Sequence, residues 1–207
     1  ETVHEIWDIN TGILSGDAML IMAHQLFEQY ESETCQALAR LFSKTALEVC
    51  EGQQYDVDFE TRDDVEISEY KKMIEYKTAV LVGAAMQMGA IVAGANLNDQ
   101  NYIYDFGKYL GIAFQLQDDY LDAFGNPQTF GKQVGGDIIE NKKTFLYLKA
   151  LEVADKETAK KLKYFYKRKR KDNTIKVTEV TRIFQIFDIP LLISEEIKSY
   201  TQKAFDT

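Results

Sequence analysis

Three aspartates within five residues, Asp118, Asp119 and Asp122 of the run QDDYLD, form the densest group of chemically capable side chains in the sequence. On a helix advancing about 100° per residue, Asp122 stands roughly 40° around the axis from Asp118 and Asp119 roughly 100°, so all three share one side. Like charges at this spacing repel and weaken a helix unless something offsets them. Their neighbours Ile112, Ala113, Phe114, Leu116, Leu121 and Phe124 are apolar, which makes plain solvation a poor explanation. Hard oxygen donors on a rigid element suit Mg²⁺, which keeps several waters and bridges one or two carboxylates to substrate phosphates. An acidic helix face turned to water stands as the simpler alternative.

Downstream, the run GKQVGGDIIENKKT supplies Lys132, Asp137, Lys142 and Lys143. Gly131, Gly135 and Gly136 allow tight turns that bring backbone and lysines close to a ligand. A lysine beside a metal-bound diphosphate would stabilise the charge that grows on a departing phosphate oxygen. The segment is not a P-loop: the glycine before Gly131 lies one residue too far back, and Gln133 stands where Ser or Thr would bind the metal. Surface solubility is the competing explanation for these lysines, a fair one for Lys143 and a weaker one for Lys132. Two further elements carry polar chemistry: the Lys77-Thr78 pair, uninformative alone, and Glu51–Asp56, where Gly52 is expected to loosen a helix end.

The elements that must position these groups read as helices. Apolar residues recur at three- and four-residue spacing in Gly16–Tyr30 (Met19, Met22, Ala23, Leu26, Phe27), the stripe of a packed helix, and again in Ser32–Gln53. A third helix starts near Ser68 and runs into Ala79–Ala95. A fourth, Asp99–Phe124, holds the aspartates and stops at Gly125-Asn126-Pro127, glycine capping and proline ending it. Others are expected at about 140–153, 156–171, 176–187 and 190–205. No alternation of period two is evident, and the only prolines are Pro127 and Pro190. The expectation is a single all-α domain over residues 1–207.

Composition excludes several classes. With 45% hydrophobic and 28% charged residues, the chain is neither disordered nor of low complexity. The net charge of −9 disfavours nucleic acid, which needs a basic face. The run KKLKYFYKRKRK from Lys160 to Lys171 is a local exception, read as a solvated helix face. Ala79–Ala95 has 17 residues, is interrupted by Gln87 and is mostly Ala and Gly, whereas a membrane span needs about 20 predominantly apolar residues. It is expected to be a central helix surrounded by others rather than a span. Cys35 and Cys50 supply neither a disulfide framework nor a CxxC pair, which favours a reduced, cytoplasmic setting. The stretch DVDFETRDD (56–64) has Thr61 where a calcium loop needs Gly and Ile67 where it needs Glu, so it reads as a solvated loop. His4 and His24 have no partner at zinc-ligand spacing.

Taken together, the pattern resembles the trans-type polyprenyl (isoprenyl) diphosphate synthases, the family of geranyl, farnesyl and geranylgeranyl diphosphate synthases. Phe114-Gln115-xx-Asp118-Asp119-xx-Asp122 matches its second aspartate-rich motif. Gly131-Lys132-xxx-Gly136-Asp137, Asn141-Lys142-Lys143-Thr144, Lys77-Thr78, Gly52-Gln53 and Gly16-Asp17 also match, at fitting spacing across essentially the whole chain. The resemblance implies an all-α isoprenoid-synthase bundle of long helices around a central cavity. It implies condensation of an allylic diphosphate with isopentenyl diphosphate. Asp118, Asp119 and Asp122 would hold Mg²⁺ against the allylic diphosphate; Lys77, Lys132 and Lys142 would contact it; Gln115 and Thr78 would stabilise the cation or orient the leaving group. A homodimer is implied too, with Gly16–Tyr30 and Ser32–Gln53 as candidate contributors.

The match departs from the family at both ends. Members carry an earlier DDxxD motif, an arginine pair and a Gly-Lys-Pro-Thr-x-His stretch, and this chain opens at Glu1-Thr2-Val3-His4, where that stretch closes. Ala204–Thr207 stops where members continue. The chain is accordingly expected to be an internal portion of a longer protein, inactive or impaired by itself. The alternative reading is a non-catalytic helical subunit that tunes an active synthase. A class I terpene cyclase is a third, disfavoured by the Gly-Lys and Asn-Lys pattern after the aspartates.

Overall fold

The structure, a computed structural model, describes residues 2–126, 128, 134–167 and 173–207. All regular elements among them are helical. After a short helix α1 (Val3–Ile6), α2 spans Ile9–Gln25 and ends in a 3₁₀ turn at Leu26–Gln29. It starts before Gly16, where the sequence pattern puts it, because the Asp8 side chain accepts the Thr11 N–H at 2.8 Å and caps it. Its apolar stripe does not pack as expected: Met19 is 69% exposed and Met22 and Leu26 are similarly open.

Helix α3 (Ser32–Thr61) runs straight through Gly52 instead of ending at Gln53. Gly52 therefore does not loosen a helix end. It lets two backbones meet, for a Cβ there would lie 2.3 Å from the Lys77 amide nitrogen. Residues 56–61 are helical, so the solvated loop expected over 56–64 is confined to its last residues, Arg62–Asp64. Opposite Gly52, α4 (Ile67–Ile74) opens on a Glu66/Glu69 capping box and continues through a π-helical turn (Glu75–Ala79) into α5 (Val80–Val92). That wide turn carries Lys77 and Thr78, and π-bulges of this kind are frequent at functional sites.

Helix α6 (Leu97–Phe124) begins on Asn96, whose side chain accepts the Asp99 N–H, and stops where expected, with the Gly125 N–H donating to the Leu121 carbonyl. It lies tightly on α5 and the π turn because a Cβ on Gly111 would come within 2.6 Å of Ala79 Cα. Small residues thus permit close approach, as the Ala/Gly-rich stretch promised. That stretch is not surrounded, however. Val80, Gly83 and Ala84 are buried while Leu81, Ala85, Gly89 and Val92, spaced along one face, stay exposed. No helix of the described residues is long and apolar enough to cross a membrane.

Among the described residues five further helices follow: α7 (Gly136–Glu140), α8 (Phe145–Val153), α9 (Lys156–Tyr166), α10 (Thr174–Ile186) and α11 (Ile189–Phe205). Pro190 sits in the first turn of α11, where its missing N–H costs nothing. α9 ends at Tyr166, earlier than residue 171, and Arg168–Lys171 of the basic run lie outside the described residues. The core joins Tyr70, Ile74, Ala79, Ile112, Leu116, Ile138, Phe145, Tyr147, Leu162, Phe184 and Ile193. It reaches the aspartates of α6 through Tyr70, whose hydroxyl donates to Asp119.

Candidate functional site

Asp118 and Asp119 face a cavity whose other walls come from α3 (Asp56, Phe59, Glu60), α4 (Tyr70, Met73, Ile74), the π turn (Lys77) and the segment from Asp137 to Thr144, with Gln115 one turn before Asp119. Long-range packing brings these together. Gly52 lets the π turn approach α3 closely, and one turn further along α3 Asp56 accepts a bond from the Lys77 ammonium at 2.6 Å.

Asp119 is buried, and both its oxygens are engaged. The Tyr70 hydroxyl donates to Oδ2 at 2.5 Å and Gln115 Nε2 donates to Oδ1 at 3.2 Å. The Gln115 carbonyl oxygen in turn accepts from Thr78 Oγ1 at 3.1 Å, so one chain of hydrogen bonds links the π turn to the aspartates. Burial pushes the Asp119 carboxyl up to about 7; the Tyr70 bond opposes the rise and the charge of Asp137 adds to it. Asp137 is pushed up to about 6 by burial and then by Asp122.

Asp122 does different work from its two neighbours. Its carboxylate accepts the Asp137 N–H at 3.0 Å and so caps α7, and its carbonyl accepts the Gly135 N–H. Burial raises its carboxyl as well. The structure thus gathers Asp118 and Asp119 at the cavity wall with Asp137, and sets Asp122 behind them under the turn. Among the described residues no three His, Cys, Asp or Glu side chains are grouped so that they could together hold a metal ion.

Lys142 lies 3.5 Å from Glu140 and 3.8 Å from Asp137 at the cavity edge. Lys143 is not the surface lysine that sequence reading allowed. It is 7% exposed, lines the cavity, and holds its ammonium 5.4 Å and 5.7 Å from the ring centres of Tyr147 and Tyr166. Burial pulls its pKa down. Gly131 and Lys132 lie outside the described residues. Sequence reasoning passed over Tyr70, which carried no local signal, and took Asp56 for loop chemistry, although its place four residues after Gly52 puts both on one helix face.

Comparison with known proteins gives this geometry a family. The polyprenyl synthetase profile matches residues 1–184. A geranylgeranyl diphosphate synthase of Sulfolobus acidocaldarius is 42% identical over 165 residues, covering 78% of this chain and 50% of its own length. Among solved structures, a geranylgeranyl pyrophosphate synthase is 55% identical with a TM-score of 0.94, covering all of this chain and 64% of its own. Another, from Corynebacterium glutamicum and complexed with isoprenyl diphosphate and magnesium, is 25% identical with a TM-score of 0.86, covering 99% of this chain and 58% of its own. The chain spans about half the length of the curated relatives it matches. Profile, curated relatives and all-α architecture agree, and the chain belongs to the polyprenyl synthetase family.

Proposed function

We propose that this chain carries the diphosphate-binding half of a prenyltransferase that joins an allylic diphosphate to isopentenyl diphosphate, and that the allylic diphosphate occupies the cavity below Asp118. The observation that supports this most is the convergence of Asp118 and Asp119 with Lys77, Lys142 and Lys143 on one cavity. The donor set fits magnesium: hard carboxylate oxygens, crowded and buried enough to raise Asp119 and Asp137, are what a dication relieves. We assign the metal first to Asp118, with Asp119 beside it, and Asp122 to the turn that carries Lys142. When bound, magnesium neutralises charge on the leaving diphosphate.

The protein groups do the rest. Lys77 and Lys142 surround the phosphates with ammonium donors, and Lys143 adds a third; Lys132 stays a diphosphate contact on its motif alone. Thr78 and Gln115 hold the aspartate wall in register through their hydrogen-bond chain. Phe59, Met73 and Ile74 line an apolar wall that keeps water from an allylic cation. The exposed apolar row on α2 supports a homodimer formed through α2 and α3, for which sedimentation as a monomer is the adverse result. The free cysteines and the absence of a membrane-crossing helix among the described residues support a cytoplasmic enzyme.

The experiment is a thermal shift with Mg²⁺ and inorganic pyrophosphate. Ligand at 100 times its Kd stabilises the native state by about 2.7 kcal/mol, so the wild type is expected to melt several degrees higher. Asp118→Ala combined with Asp119→Ala is expected to abolish the shift; an equal response in the double variant refutes the site.

A further inference from the structure

We propose that Lys176, which is not among the residues that line the cavity, is a positioning residue for the diphosphate site: it locks the turn from which Lys142 and Lys143 reach the ligand. The proposal rests on the diphosphate reading above. Lys176 is fully buried, and it is the third residue of α10, where a cation opposes the helix macrodipole. A buried ammonium at that end of a helix is unfavourable twice over, so its partners explain why it is there. Nζ donates to the Ile139 carbonyl at 3.1 Å and to Asn141 Oδ1 at 2.6 Å. It also stands 5.4 Å from the ring centre of Tyr166, which stacks at 3.9 Å on Tyr147, and this aromatic pair carries the Lys143 ammonium.

The turn needs holding. α7 is bracketed by two residues in the left-handed region, Gly135 at φ 82° and Asn141 at φ 65°. Glycine adopts this region freely, but a non-glycine residue such as Asn141 persists in it only where the surroundings over-determine it. The first turn of α10 grips both brackets. Val177 packs on Gly135 so closely that a Cβ there would lie 2.7 Å from Cγ1, and Lys176 ties down Ile139 and Asn141. Between these two grips sits Asp137, whose N–H binds Asp122, and immediately after them come Lys142 and Lys143. Remove the ammonium and the Asn141 side chain loses its donor, so the two lysines lose their fixed origin.

The test is calorimetric titration of the full chain with inorganic pyrophosphate in excess Mg²⁺, beside a urea unfolding curve. Lys176→Met keeps the length of the side chain and removes the charge. We expect Kd to rise about tenfold or more, the scale on which supporting partners act on a site. In a Lys142→Ala/Lys143→Ala background the same change is expected to alter Kd by less than about twofold, because Lys176 acts through those lysines. A folded Lys176→Met protein with wild-type Kd overturns the proposal, as does a full tenfold effect in the double-alanine background; a purely structural lysine lowers the unfolding midpoint and leaves Kd alone. If Lys176→Met does not fold, Asn141→Gly decides: it keeps the left-handed backbone, removes the acceptor and is expected to weaken binding, whereas an unchanged Kd is again the refuting result. Failure of the wild type to bind pyrophosphate refutes the diphosphate reading itself, which separates the two failures.

Discussion

Replacing Gly52 by alanine sets two physical effects against each other. In the interior of a helix, alanine is better than glycine by about 1 kcal/mol, so propensity alone promises a more stable protein. Packing says the reverse. The new Cβ would lie 2.3 Å from the Lys77 nitrogen and 2.7 Å from the Tyr76 carbonyl carbon. Both are backbone atoms, so no side chain can rotate away. Ordinary contact needs about 3.5 Å, and α3 and the π turn would have to separate by about 1 Å. Overpacking of this kind costs about 1–3 kcal/mol and occasionally more, and a rigid obstacle on both sides puts Gly52 at the upper end. Net of the propensity gain, Gly52→Ala is expected to lose about 2 kcal/mol. For a chain of this size that lowers Tm by about 4–8 °C. Urea unfolding monitored by circular dichroism measures the loss directly. The separation also pulls Lys77 from Asp56, so pyrophosphate binding in Mg²⁺ should weaken in the same variant. A Gly52→Ala protein as stable as the wild type would refute the close-approach argument, because it would mean that helix propensity governs this position.

Two further outcomes follow from the buried carboxylate. In the folded protein Asp119 holds its proton up to about pH 7, whereas the unfolded chain releases it near the ordinary value of 3.8. Between those values the native state binds more protons, so stability falls as pH rises. Asp119→Asn removes that dependence and still accepts the Tyr70 hydrogen bond; without metal its melting temperature is expected to exceed the wild type's at pH 8 and to approach it near pH 4, and a gap independent of pH would contradict the assignment. Tyr70→Phe deletes the 2.5 Å donor to the same carboxylate. It is expected to cost about 1–3 kcal/mol in urea unfolding at pH 8, with a smaller loss where Asp119 is protonated; no loss at pH 8 would refute the hydrogen bond's role.

Local periodicity made the helices legible, and residue type with spacing made the aspartate motif legible. What failed to read was whatever depends on a partner distant in sequence. A glycine that ends a helix and a glycine that admits another backbone look alike until Lys77 is found against it, and so Gly52 was misplaced. Lysines are usually solvated, and nothing in the letters around Lys143 announces that Tyr147 and Tyr166 will enclose it. Asp118 and Asp122 share a helix face, yet only geometry shows that Asp122 turns to an amide 15 residues further on. Tyr70 meets Asp119 across 49 residues. The stripe on α2 was correctly apolar, but periodicity tells which face seeks cover and not what covers it.

The charge pattern of the cavity bears on how an acidic chain can hold an anion. The lysines are not waiting in isolation: Lys77 lies against Asp56, and Lys142 against Asp137 and Glu140. A diphosphate arriving alone would have to share those ammonium groups with carboxylates already in place, while Asp119 and Asp137 resist a further negative charge. A dication arriving alone would find the Asp119 oxygens engaged by Tyr70 and Gln115. On the proposed reading Asp118 still offers a dication its oxygens, so the anion is the partner poorly served alone, and by linkage each would strengthen the other's binding equally. On the proposed reading the buried carboxylates would favour the metal-bound anion over the bare anion, a selectivity that a purely basic cavity could not provide.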